Sequence, residues 1–343
     1  RMIMAGLEWK GQVPFKNVYF TGIVRDKQRR KMSKSLGNSP DPIELMDKYG
    51  ADGVRVGILL SSAAGNDLLF DEDLMLQGRN FATKIWNAFR LIQGWNKEEK
   101  AISLAEQETI DWFENQLNKT IVEISEQFDK FRISDALHLI YKLIWDDFCA
   151  WYLEAIKPNY GEAISTEVYQ KTIAFFEELM KLLHPFMPFL TEELWQNIAE
   201  RSREEALVIA QQKKADDFNE ETIKNFDFAK ELISGVRNYR QSKGISPRES
   251  VELFTNATAF INEAVVRKLA NVSEVHFAEK TDKPSFTFLV GATEISIPLS
   301  ENLDLAEEKK KTEEEIKYLK GFLVSVEKKL SNEKFVANAI PEI

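Results

Sequence analysis

The segment RRKMSKSLGNSP, from Arg29 to Pro40, is the most informative stretch of this sequence. Its first six residues include four cations, and two serines and a glycine are interleaved with them or follow them closely. Lysines on a loop can neutralise phosphate oxygens, while serine hydroxyls and backbone N–H groups near a glycine supply directional hydrogen bonds. The residues alone therefore fit a nucleoside triphosphate site, and they also fit a solvated surface loop, the commoner explanation of a basic cluster.

The elements predicted on either side place this loop between a strand and a helix. The run VYFTGIV, residues 18–24, has the β-branched and aromatic composition of a buried strand. Asp41 followed by Pro42 is typical of a helix start, because aspartate caps the first N–H groups and proline suits the first helical position. We therefore expect the basic loop to be held at both ends.

Composition and charge exclude several classes of protein. The chain has 343 residues, 44% of them hydrophobic, and a formal net charge of −10, which argues against a protein that coats nucleic acid non-specifically. Charge is nevertheless concentrated locally, because residues 25–34 contain six basic side chains and one acid, Asp26. No apolar run reaches the roughly 18 residues that a membrane span needs, and no secretory signal is recognisable. We expect a cytoplasmic protein without a membrane partner.

Cysteine and histidine usage gives no indication of redox or metal chemistry. The one cysteine, Cys149, lies in an apolar stretch and is interpreted as a buried thiol. The three histidines lack the spacing of metal ligands, so no metal site is predicted in the protein itself.

From about residue 77 to residue 201, apolar residues recur at helical spacing and predict a helix bundle. A fourth helix is expected over 175–183, and Thr191 is predicted to cap a fifth. The first three helices carry the stripes Phe81, Ile85, Ala88, Phe89 and Ile92; Leu117, Ile121, Ile124 and Phe128; and Leu137, Ile140, Ile144, Phe148 and Trp151.

The pattern changes after the charged segment 213–221. A helix over 228–243 is expected to stop at Gly244, and alternating segments beyond it predict strands, with a hairpin turn at Gly291 and Ala292. The last charged segment carries a coiled-coil seam, which needs a partner helix from this chain or from another molecule. The seam consists of Ile316, Leu319, Leu323, Val326 and Leu330.

Several motifs resemble the class I aminoacyl-tRNA synthetases. KMSKS, residues 31–35, is the signature pentapeptide of that class, and its surroundings are similar to the valine, isoleucine and leucine branch. GRNFATKIWNAFR (78–90) and LHPFMPFLTEELWQ (183–196) resemble motifs of the branch's anticodon-binding domain, and GVRNYRQSKGISP (235–247) resembles the basic helix beyond it. The closing LSNEKFVANAIPEI (330–343) resembles the turn of a coiled-coil arm in the valine enzymes. This arm favours the valine enzymes over the isoleucine enzymes, which are the alternative.

The resemblance implies a mainly α fold in four parts. Residues 1–75 would be the end of a Rossmann-type catalytic domain with the KMSKS loop and a connecting region, and residues 76–225 a helix-bundle anticodon-binding domain. Residues 226–300 would form a small α/β domain, and residues 301–343 the start of a coiled-coil tRNA-binding arm.

The resemblance also implies an activity, the ATP-dependent attachment of valine to its tRNA through an adenylate, with Mg²⁺ accompanying ATP. The family's histidine-containing ATP motif, amino-acid pocket and editing domain precede the KMSKS region and are expected to be missing here. We therefore expect the isolated chain to be inactive, and a non-catalytic tRNA-binding module is the alternative of another class. The implied site residues are Lys31 and Lys34 for catalysis and ATP, Ser33 and Ser35 for ATP, and Arg237, Asn238 and Arg240 for tRNA.

Overall fold

A computed structural model describes residues 1–20, 22–61, 66–202, 204–260, 262–299, 316–326 and 331. The α-helices are α1 (Met2–Lys10), α2 (Pro42–Tyr49), α3 (Ala51–Ser61), α4 (Glu72–Gln93), α5 (Leu104–Asp129), α6 (Ile133–Lys142), α7 (Leu153–Ile156), α8 (Thr166–Leu183), α9 (Pro188–Ile198), α10 (Glu220–Lys243) and α11 (Glu263–Ala270). The strands are β1 (Val24–Arg25), β2 (Leu68–Leu69), β3 (Lys97–Glu98), β4 (Ile164–Ser165), β5 (Val251–Thr255), β6 (Val272–Phe277), β7 (Ser285–Val290) and β8 (Thr293–Pro298). The predicted mainly α fold is confirmed.

The strand predicted over residues 18–24 is much shorter in the structure. Of its described residues, only the last joins β1, which pairs in parallel with β2, and Phe20 is 77% exposed. A strand is stable only where a neighbour accepts its hydrogen bonds. Within the described residues the neighbour is β2, which is itself two residues long, so the pairing stops there.

The predicted helix bundle is confirmed in the first of two compact units, which comprises Arg1–Ser250 and Ala259–Ser273. The predicted stripe of α4 is buried except for Phe89, which is half-buried, and Phe81 and Ile85 are fully inaccessible. Helix α5 begins with a capping box formed by Ser103 and Glu106. Helices α4, α5, α6, α8 and α9 pack on one another. Both α10 and α11 also pack on α5.

The third predicted helix is not uniform. It begins as α6, continues as a π-helix over Leu143–Tyr152, and ends as α7. This π-helix contributes Phe148 and Tyr152 to an aromatic core around Phe113, at ring distances of 5.4 and 4.9 Å. A periodic pattern of apolar residues does not reveal such a change, because the buried positions of an α-helix and a π-helix overlap over one or two turns.

The prediction that Thr191 caps the fifth helix is wrong. That helix, α9, begins three residues earlier at Pro188, and Thr191 lies inside it, where its hydroxyl donates to the carbonyl oxygen of Met187 at 2.7 Å. The N–H groups of Phe189 and Leu190 are instead bound by Asp52 of α3. Capping by a residue so distant in sequence is invisible to a local pattern.

The second compact unit comprises Val251–Thr258 and the described part of Glu274–Ile343. Its sheet has the order β6-β5-β8-β7, and β7 and β8 form a hairpin in which Val290 pairs with Thr293. Gly291 in the turn has a φ of 57°, a conformation that favours glycine. Helices α10 and α11 belong to the first unit, so the compact units divide near residue 250. The domain boundary expected at residue 225 stays a prediction.

Residues 316–326 are helical, as the coiled-coil pattern predicts. Leu319 and Leu323 on the predicted seam are 53% and 56% exposed. The final seam residue, Leu330, lies outside the described residues. The partner helix stays a prediction.

Candidate functional site

The loop between β1 and α2 is organised around the carboxylate of Asp26. Its Oδ1 accepts hydrogen bonds from the backbone N–H groups of Gln28 and Arg30 at 3.0 and 2.9 Å. Its Oδ2 accepts from Nδ2 of Asn38 at 3.0 Å and Nε of Arg30 at 2.8 Å. The bond from Asn38, together with the bonds and charge of Arg30, lowers the pKa of Asp26 to about 2. Asp26 therefore stays ionised and ties the two ends of the basic segment together.

Asn38 extends this arrangement to the KMSKS residues. Its Oδ1 accepts from the backbone N–H of Ser33 at 2.9 Å, and its Nδ2 also lies 3.3 Å from the carbonyl oxygen of Lys31. In the sequence pattern, Asp26 stands out only as the one acid in a basic cluster. An aspartate directly before a turn is a common Asx-turn signal, and that signal could have identified it.

The two serines of the pentapeptide shape the loop. Ser33 caps a 3-10 helix over Lys34–Leu36, because its Oγ accepts from the N–H of Leu36 at 3.3 Å. The hydroxyl of Ser35 lies 3.1 Å from that of Ser33. Gly37 then ends the turn with a φ of 62°. A direct contact of these hydroxyls with ATP stays a prediction.

The six cations of the loop fall into two groups. Three are paired with acids: Arg25 with Asp67, Lys27 with Asp71 at 3.0 Å, and Arg30 with Asp26 at 2.7 Å. The other three, Arg29, Lys31 and Lys34, are exposed, and none forms an ion pair with any residue that the structure describes.

The acids beside the loop have lowered pKa values. The backbone N–H of Ile23 and the guanidinium of Arg25 lower the pKa of Asp67. The hydrogen bond from Lys27 does the same for Asp71. These carboxylates therefore neutralise the paired group of cations, and an incoming anion would meet the free group.

The candidate RNA-binding residues of α10 occupy different environments. Arg237 is exposed, with its guanidinium 5.5 Å from the ring centre of Trp151, and Asn238 is exposed next to it. Lys230, seven residues before Arg237 on α10, pairs with Asp147 at 3.0 Å and lies over the ring of Trp112 at 4.3 Å. Burial raises the pKa of Asp147. Lys230 thus serves the packing of α10.

Arg240 is 5% exposed, and its guanidinium is directed into the protein. Nη1 donates to the carbonyl oxygens of Ser246, at 2.9 Å, and of Glu249, while Nη2 donates to those of Ala270 and Asn271 at 3.0 and 3.1 Å. With its guanidinium committed to four carbonyls, Arg240 is the weakest of the three candidates for contact with RNA.

Neither a metal-binding cluster nor a membrane-spanning helix is found among the described residues. No group of three or more His, Cys, Asp or Glu side chains in this part of the chain is arranged to hold a metal ion. None of its helices has an apolar stretch long enough to cross a membrane.

Comparisons with known proteins agree with the sequence motifs. Residues 1–71 match the family of tRNA synthetases class I (I, L, M and V), and residues 111–255 match the anticodon-binding domain of tRNA ligase. A solved structure of a ternary complex of Agrobacterium radiobacter K84 LeuRS with tRNA and LeuAMS covers 64% of this chain and 26% of that chain, at 22% identity and a TM-score of 0.46. That score is too low to support an argument.

Curated proteins similar to this chain include valine–tRNA ligases. The protein of Christiangramia forsetii is 53% identical over 346 residues, and that of Phocaeicola vulgatus is 53% identical over 342 residues; each match covers 99% of this chain and 39% of the relative. The valine–tRNA ligase of Fusobacterium nucleatum is 36% identical over 361 residues. The chain thus spans about two fifths of the length of these relatives. The chain is therefore similar over nearly its whole length to valine–tRNA ligases, and within it a match to the class I tRNA synthetases is followed by a match to the anticodon-binding domain of tRNA ligase.

Proposed function

We propose that this chain is part of an enzyme that attaches valine to its tRNA, with ATP as the energy source. In the first step the valine carboxylate attacks the α-phosphorus of ATP, the bond from that phosphorus to the oxygen bridging to the β-phosphate breaks, and pyrophosphate leaves. Mg²⁺ accompanying ATP would neutralise part of the phosphate charge. In the second step a hydroxyl of the terminal ribose of the tRNA attacks the activated carbonyl carbon, and AMP leaves. The chain would supply the triphosphate-binding loop and the tRNA-binding helices.

The unpaired cations of the loop carry this proposal. Lys31 and Lys34 are exposed point charges on a backbone that Asp26 and Asn38 hold by direct hydrogen bonds. As pyrophosphate departs, negative charge grows on its oxygens. A charge that is already in position stabilises this transition state more than the ground state, and it does so without reorganisation. We assign this role first to Lys34, with Lys31 beside it.

For tRNA we propose contact through the exposed part of α10, at Arg237 and Asn238. A guanidinium next to an exposed amide can neutralise a phosphate and also donate to a sugar or base edge. The guanidinium of Arg237 lies over the ring of Trp151, 5.5 Å from the ring centre, and this contact helps to hold it in place. Arg240 would contribute indirectly, by holding the end of α10 on the segment after it.

The test uses the chain itself. Binding should be measured for a valine tRNA and for the same tRNA with a replaced anticodon, each at two salt concentrations. Phosphate contacts make affinity depend on salt, whereas base contacts make it depend on the anticodon. We expect the replaced anticodon to weaken binding by about 1–3 kcal/mol per misread base, by analogy with DNA recognition. Equal binding of both tRNAs at both salt concentrations would refute recognition of the valine anticodon by this chain.

A further inference from the structure

The N-terminus of α9 is capped by a residue of another helix, α3. Asp52 is 7% exposed; its Oδ2 accepts from the N–H of Leu190 at 2.7 Å, and its Oδ1 accepts from that of Phe189 at 3.4 Å. Helix α9 has no side-chain cap of its own and no acidic residue in its first turn. The carboxylate of Asp52 therefore satisfies two N–H groups that lack intrahelical partners, and it faces the positive end of the helix dipole.

Arg55, one turn further along α3, binds the same segment with the opposite charge. Its Nε donates to the carbonyl oxygen of Phe186 at 3.2 Å, and its Nη2 donates to that of Pro185 at 3.0 Å. Asp52 thus accepts hydrogen bonds from N–H groups in the first turn of α9, and Arg55 donates to carbonyl oxygens in the turn between α8 and α9. Asp52 and Arg55 are the two charged residues of α3, which is otherwise mainly apolar. Two charges in an apolar segment are a signal that can be noticed in the sequence.

The other end of α3 is also attached to the bundle. The carbonyl oxygen of Leu60 lies 3.1 Å from the hydroxyl of Ser134 and 3.0 Å from Nε2 of His138, both on α6. Helix α3 is therefore connected to the bundle at each end by polar contacts, in addition to its apolar packing.

Helix α3 is joined to the KMSKS loop through α2. The loop leads directly into α2, and Leu45 of α2, Val54 of α3 and Met75 of α4 form one buried cluster. A Cβ atom on Gly78 of α4 would lie 2.2 Å from the carbonyl oxygen of Gly53, so the backbones of α3 and α4 are in direct contact. A shift of α3 and α4 together against α6, α8 and α9 would therefore carry the loop with it.

We propose that Asp52 and Arg55 are positioning residues, which fix the loop bearing Lys31 and Lys34 relative to the helical bundle. In terms of the proposed function, on which this role rests, the pair keeps the ATP-binding loop and the tRNA-binding helices at one spacing. A displacement of about 1 Å between reacting groups can lower a rate by on the order of a hundredfold. A cap that only stabilised α9 would leave this spacing unchanged.

The spacing can be measured in the chain itself. Spin labels on Ser39→Cys after the loop and Ser125→Cys on α5, both exposed, report it in a Cys149→Ser background. We expect one narrow distance distribution in the parent, a broader or shifted one in Asp52→Ala, and recovery towards the parent in Asp52→Asn, whose amide oxygen still accepts. The control is Asp135→Ala, which removes an exposed aspartate from the first turn of α6 and leaves the turn before α9 untouched. A parent-like distribution in Asp52→Ala would overturn the proposal.

Arg55→Ala provides a second variant if Asp52→Ala does not fold, because the Arg55 side chain is exposed. In the complete synthetase, we expect Arg55→Ala to lower kcat of aminoacylation by about tenfold or more while KM for tRNA stays within about twofold, since positioning changes but binding groups remain. A raised KM with an unchanged kcat would refute the positioning role. Failure of the unaltered chain to bind valine tRNA would instead refute the proposed function, and the distance measurement would still stand.

Discussion

Replacing Lys34 with alanine removes a charge that no described residue neutralises. Lys34 lies exposed in the 3-10 helix that Ser33 caps, so its ammonium group is available to a triphosphate. A preorganised donor directed at developing charge contributes about 2.7–4 kcal/mol to a transition state, a factor of roughly 100–1000 in rate. We therefore expect Lys34→Ala to lower the rate of ATP–pyrophosphate exchange by that factor in the complete synthetase.

The matched control is Lys27→Ala on the same loop. Lys27 pairs with Asp71 at 3.0 Å, and the hydrogen bond that Lys27 donates to that carboxylate raises the pKa of Lys27. Because its charge is already neutralised, we expect its removal to change the exchange rate by less than about threefold. Both side chains are exposed, and surface substitutions of this kind usually change the free energy of unfolding by less than about 0.5 kcal/mol. A loss of activity in Lys34→Ala would then not reflect unfolding.

The assay measures isotope exchange between pyrophosphate and ATP at saturating valine, without tRNA, so that only the activation step is observed. The reasoning is refuted if Lys34→Ala retains more than about a third of the wild-type rate, which leaves under ~0.7 kcal/mol for the contact. It is refuted equally if Lys27→Ala loses as much activity as Lys34→Ala, since pairing with Asp71 would then not distinguish the two groups of cations.

Three further predictions concern the rest of the molecule. Arg237→Ala should reduce the magnitude of the negative slope of log affinity for tRNA against log salt by about 1. Arg240→Met should lower the free energy of unfolding by about 1–3 kcal/mol. Salt-dependent binding measures the first effect and urea titration the second, and the reverse assignment of the two effects would contradict the structure. Because the folded pKa of Asp26 is about 2 and its ordinary value is 3.8, the stability it contributes is present above pH 3.8 and is lost as pH falls through 2; an NMR titration that places its midpoint near 3.8 would show that the loop is not held as described. Finally, sedimentation of the chain should show pairing through the exposed seam that is lost in Leu319→Asp with Leu323→Asp, and a parent that is monomeric at all concentrations would exclude this pairing.

The sequence alone indicates what depends on neighbouring residues. Apolar side chains at helical spacing predict the bundle, because the period of a helix is a local property that burial of one face makes visible. Asp41 and Pro42 predict the start of α2 for the same reason, and Asp41 does accept from the N–H of Ile43 at 2.8 Å. The cations and serines of the loop likewise point to phosphate, since their chemistry does not depend on the fold.

Tertiary structure decides which of these groups remain available. Three of six loop cations are paired with acids, two of them more than forty residues away in sequence, and Arg240 is buried against the segment around Ala270. The cap of α9 comes from Asp52, 138 residues from Leu190, in place of the nearby Thr191. Charge pairing and capping depend on distances of about 3 Å in space, and separation along the chain does not predict such distances until the chain has folded.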